Sequence, residues 1–114
     1  MMIGLTFSAF AQKKELIEDK EAIHERAIAE IEAALTPPEG TIYLFASERS
    51  IKGEYTFDIT IREKGDVATV FSVGNNNGTV ENQNRLKDFM MIFDFNFKMP
   101  KGKYYKFRYT FKFE

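Results

Sequence analysis

His24 is the only histidine in the chain, and Glu21 lies three residues before it. That Glu-x-x-His step is the one used by carboxylate-bridged di-iron bundles, but such a site needs a second copy of the motif from another helix. The sequence has no second copy. His24 therefore reads as a side chain near the edge of a helix stripe. Asn75 and Asn77 before Gly78 suggest a calcium loop. In that register the first ligand position falls on Val73 and the twelfth on Asn84, where Asp and a bidentate Glu are required. Asn77-Gly78-Thr79 is formally a glycosylation sequon, and its commoner meaning is a turn into a helix cap. Asp58 and Asp66 read as strand and turn carboxylates rather than an acid/base pair. There is no Gly-rich phosphate loop, no Gly-x-Ser-x-Gly and no cysteine to act as nucleophile, zinc ligand or disulfide. The reading is of a chain that is not an enzyme, with no cofactor and no metal.

The remaining chemistry lies at the end of the chain. Tyr105, Phe107, Tyr109, Phe111 and Phe113 share one parity, and Lys106, Arg108, Thr110 and Lys112 the other, with Tyr104 on the basic side. This is the period-two pattern of a half-buried strand. Aromatics beside cations suggest a single-stranded nucleic acid. Here, however, the two sets point to opposite faces, so one ligand would not meet both, and no nucleic-acid partner is expected. The aromatic parity should wall the core. Tyr104, Lys106, Arg108 and Lys112 are then the candidate partner-binding residues, on the outer face of a strand whose edge can pair with another chain.

The elements that position this strand follow from periodicity. Lys13 to Leu35 places Leu16, Ile23, Ala27, Ile31 and Ala34 or Leu35 at helical steps, with Ile28 widening the stripe, and Thr36 before Pro37-Pro38 should end the helix. Its polar face is net acidic, which disfavours an anionic membrane surface, so packing on a sheet is expected. Thr41 to Ser47 is predicted as a first strand. Glu54 to Arg62 alternates with Tyr55, Phe57, Ile59 and Ile61 inward; Glu63 to Asp66 is a hairpin connection, and Val67 to Val73 returns. After an Asn-rich loop, Thr79 should cap a short helix to about Met91, with Val80, Leu86, Phe89 and Met90 apolar. Phe93, Phe95 and Phe97 alternate in extended chain, and Met99 to Gly102 turns into the final strand. The expected fold is α+β: a long N-terminal helix, a mainly antiparallel sheet of four or five strands, and a second short helix before the last strands.

At 114 residues the chain is one domain by size, and 44% hydrophobic with 29% charged residues argues against disorder. The net charge of -1 conceals an asymmetry. Residues 13 to 35 carry four Lys or Arg against seven Asp or Glu, while residues 98 to 114 carry six against one. The simplest reading is that the two segments neutralise each other in the fold. Residues 1–11 hold an apolar run ending Ala9-Phe10-Ala11, the small-x-small pattern of a secretory cleavage site, without a basic region before it. A signal-peptide remnant or a start upstream of Met1 is favoured over a short apolar strand. Residues 12–114 then form the domain, periplasmic or secreted, with no membrane span in the mature chain.

The order of elements in GEYTFDITIREKGDVATVFSV, RLKDFMMIFDF and NFKMPKGKYYKFRYTFKF resembles the C-terminal domain of TonB-type energy transducers. Residues 53 to 113 carry the likeness, chiefly Gly65, Phe97, Pro100 and Gly102. The resemblance implies a helix packed on a small antiparallel sheet in the periplasm. It also implies a closing strand available to pair with an extended segment of an outer-membrane receptor. The transducers' membrane anchor and Pro/Lys-rich spacer have no counterpart in these residues, and the helix of 13–35 is additional, so pairing rather than energy transduction is the implied function. The alternative architecture is a cystatin-like or related helix-plus-curled-sheet fold, binding a small ligand or acting as an inhibitor. In the TonB-like arrangement the helix near 80–91 packs on the sheet and one long strand stays open.

Overall fold

A computed structural model of the chain describes residues 13–114. The expectations for residues 1–11 lie outside the described residues. The elements in order are β1 (Glu15–Leu16), α1 (Lys20–Ala34), α2 (Thr41–Glu48), β2 (Gly53–Arg62), β3 (Val67–Asn76), α3 (Val80–Met91), β4 (Phe97–Lys98) and β5 (Tyr104–Phe113). The α+β class and the mainly antiparallel sheet are as expected. The strand count is not: the sheet has three strands, in the order β3-β2-β5, and β1 and β4 form a separate parallel pair of two residues each.

The first helix begins at Lys20, not Lys13. Asp19 caps it, its carboxylate accepting from the Ala22 N–H at 3.0 Å. The residues before it are drawn into β1, and the Ile17 N–H donates to the Lys98 carbonyl at 2.9 Å. Leu16, expected on the helix stripe, is 47% exposed. Ile23, Ala27 and Ile31 remain a single i, i+4 line and are buried.

Thr41 to Ser47 is a helix and not a strand. A short apolar run has no period that separates the two conformations, and its β-branched and aromatic residues favoured the wrong one. Packing decides it. Ile42 and Ala46, one turn apart, are buried, and the Phe45 ring lies 4.4 Å from that of Phe89 on α3. Only a helix brings Ile42 and Ala46 to the same face with Phe45 beside them.

The hairpin forms where its alternation places it. Tyr55, Phe57, Ile59 and Ile61 are fully buried, and the Arg62 N–H donates to the Asp66 carbonyl at 2.7 Å. Gly65 closes the turn at a φ of 92°. β3 runs on to Asn76, so part of the Asn-rich loop is strand. Thr79 caps α3, its hydroxyl accepting from the Asn82 N–H at 3.0 Å; Leu86 and Met90 are buried, whereas Val80 is exposed. The inward residues of β2 and β5, the buried residues of all three helices, and Phe95 and Phe97 make one core. The helices cover one face of the sheet with it. Among the described residues no helix is long and apolar enough to cross a membrane.

Candidate interaction site

β5 pairs antiparallel with β2 along its whole length, from Arg62 opposite Tyr104 to Gly53 opposite Phe113, and lies at the end of the strand order. Its other side has no strand beside it among the described residues. Phe107 and Phe111 are buried as the parity argument requires, while Tyr105, Tyr109 and Phe113 are half-buried. The aromatic face is thus closed along part of its length and partly open at the rest.

The outer face carries the four candidate residues. Tyr104 is 63% exposed. Lys106 stands opposite Thr60 and Lys112 opposite Glu54, and neither ammonium forms a salt bridge among the described residues. Arg108 differs from both. Its Nε donates to Asp58 Oδ1 at 2.8 Å and its Nη2 to Oδ2 at 3.2 Å, a two-point pair across the strands. The guanidinium hydrogen bond, aided by the charges of Arg108 and Lys106, holds the Asp58 carboxyl below its ordinary value, and Asp58 in turn raises Arg108. Next along, the Thr56 and Thr110 hydroxyls meet at 2.8 Å. The centre of the basic ladder is therefore tied to the sheet, and its two ends are free.

His24 sits where α1 crosses β5: its Nδ1 is 2.7 Å from the Tyr105 hydroxyl, and its ring meets Tyr105 and Phe107 edge-on at 6.0 and 6.2 Å. Burial pushes the Tyr105 hydroxyl above its ordinary pKa. The cavity beside His24 is lined by Lys20, Glu21, Glu25 and Tyr105. Asp58 is on the outer face with Arg108, and Asp66 is in the hairpin turn, paired with Arg62 at 2.9 Å. His24, Asp58, Asp66 and Tyr104 are thus not gathered in one pocket. Among the described residues no three His, Asp or Glu side chains cluster as metal ligands.

Sequence reasoning missed two groupings. The Asp58–Arg108 pair depends on the register between β2 and β5; both residues had outward parity, but parity alone does not choose partners. A second cavity is lined by Lys13, Lys14, Lys64 and Lys98. These are scattered along the chain and leave no local pattern. Comparison with protein-family models, with curated proteins and with solved structures finds no match for this chain.

Proposed function

We propose that the chain is a non-enzymatic interaction domain of the periplasm or cell exterior, similar in arrangement to the TonB-type C-terminal domain. It takes an extended segment of a partner protein along the free edge of β5. The observation that carries this reading is that β5, ten residues long, is paired on one side only. A strand edge of that length presents a row of backbone donors and acceptors, and an added strand satisfies them. Side chains then select the partner. An incoming strand covers Tyr105, Tyr109 and Phe113 with apolar groups on one parity and offers carboxylates to Lys106 and Lys112 on the other.

The packing of α3 against β3 is the arrangement the TonB-like reading expects, and of the two edge strands, β3 and β5, it is β5 that carries the basic ladder. Export rests on the Ala9-Phe10-Ala11 pattern. The test compares capture from an envelope extract by the wild-type chain and by K106E/K112E, with Arg108 kept because it holds Asp58. The captured protein's extended segment, made as a peptide, should slow amide exchange along β5, and the double reversal should weaken its binding. Undiminished binding by the double reversal, without protection of β5, removes the proposal.

A further inference from the structure

We propose that the end of the molecule opposite the Gly53 end of β2 is a binding site for a ligand carrying two or more neighbouring phosphate groups. The site is a cavity of about 550 Å³ lined by Lys13, Lys14, Lys64 and Lys98. Backbone pairing assembles it. The Ile17 N–H donates to the Lys98 carbonyl, Met99 N–H to the Glu63 carbonyl at 2.7 Å, and Phe95 N–H to the Gly65 carbonyl at 3.0 Å. These bonds lock β1, the β2–β3 turn and β4 together. Lys14 Nζ donates to the Lys64 carbonyl at 2.9 Å, which fixes one wall.

The nearby carboxylates are already committed. Asp94 pairs with Lys14 at 2.7 Å and Asp66 with Arg62, while Glu63 Oε1 accepts from the Gly102 N–H at 2.5 Å. Lys13, Lys64 and Lys98 form no salt bridge among the described residues, and Lys101 and Lys103 flank Gly102 in the adjoining turn. In a chain of net charge -1 this concentration does not follow from composition. Like charges around one cavity repel each other, and the same arrangement focuses a positive potential into it. A single carboxylate would neutralise little of that field. Several phosphate oxygens match several ammonium donors, and lysine binds phosphate as a point charge without a fixed fork geometry. Among the described residues no aromatic side chain lines the cavity to stack a base, so the phosphates themselves are what these lysines recognise.

The feature is independent of the β5 edge, and the controls exploit that. The isotope-labelled chain is titrated with tripolyphosphate at constant ionic strength and followed by amide NMR. Saturable shifts confined to residues around Lys14, Lys64 and Lys98 are expected. Affinity should fall about tenfold or more in K64A/K98A and change less than about twofold in K106A/K112A. A parallel arm uses phosphatidylcholine vesicles with and without cardiolipin. Cardiolipin-dependent flotation that K64A/K98A abolishes identifies the source as a lipid headgroup, and tripolyphosphate binding without flotation identifies a soluble one. Shifts spread over the surface, equal losses in the two double variants, or no response to tripolyphosphate overturns the proposal. Urea midpoints close to wild type establish that K64A/K98A is folded.

Discussion

Asp58 and Arg108 face each other across β2 and β5 and are joined by two hydrogen bonds, at 2.8 and 3.2 Å, on the sheet face turned away from the helices. The pair withdraws the central cation of β5 from any partner and ties the edge strand to its neighbour. It also makes stability depend on acid. The Asp58 pKa is lowered in the fold, chiefly by the Arg108 hydrogen bond, so the contribution is present above the unfolded value of about 3.9 and is lost as pH falls through the folded value. The difference in melting temperature between wild type and Asp58→Asn should be present at pH 7 and close below about pH 4. A gap that stays constant through the acid range would show that the pair is not its origin.

Gly65 and Gly102 both adopt positive φ, at 92° and 82°, and should respond differently to alanine. A Cβ on Gly65 would run into the carbonyl oxygens of Phe95 and Phe97, whereas one on Gly102 meets nothing within 4 Å. Gly102→Ala should cost about 1 kcal/mol, the conformational penalty alone. Gly65→Ala should cost about 3 kcal/mol or more, because the backbone of the β4 approach must also move. Urea midpoints for the two variants measure this, and equal losses would contradict the close approach.

Phe95 and Phe71 are the same residue type in opposite settings. Phe95 is fully buried, with the rings of Phe93, Phe97 and Phe107 at 4.9, 5.9 and 6.4 Å, while Phe71 is 60% exposed on the outer face. Phe95→Ala should lose about 3–5 kcal/mol through lost burial and a residual cavity. Phe71→Ala should stay within about 0.5 kcal/mol. Equilibrium denaturation of both variants decides the assignment.

Alkaline behaviour should report the half-open aromatic side of β5. Burial, followed by the negative charge of Glu32, raises the pKa of Tyr109, and burial raises that of Tyr105. Folding thus favours the neutral phenols, so their contribution is complete below about pH 10 and falls as pH rises past it. Ultraviolet titration of wild type against Tyr105→Phe and Tyr109→Phe should assign phenolate transitions above the ordinary value to these two residues, and Tyr109→Phe should lessen the alkaline loss of stability. A single phenolate transition at the ordinary value for all five tyrosines would refute it.

Local pattern by itself determined the parts of this protein whose constraints are local. Strict alternation of Tyr55, Phe57, Ile59 and Ile61 specified a strand and its buried face, since a one-residue slip would expose all four. Gly65 marked the turn and Thr79 the start of α3, because a positive φ and an orphan N–H are needs met within a few residues. The two parities of β5 likewise separated its core wall from its basic face. Tertiary structure decided what depends on neighbours distant in sequence. Thr41–Glu48 became a helix because Ile42, Ala46 and Phe45 find partners on one side. Residues 15–16 left the expected helix because the Lys98 carbonyl lies beside them. The sheet register chose Asp58 for Arg108, and the joining of β1, β4 and the hairpin turn placed four lysines around one cavity. Charge and contact across such separations are set by chain packing, and no period in the sequence carries them.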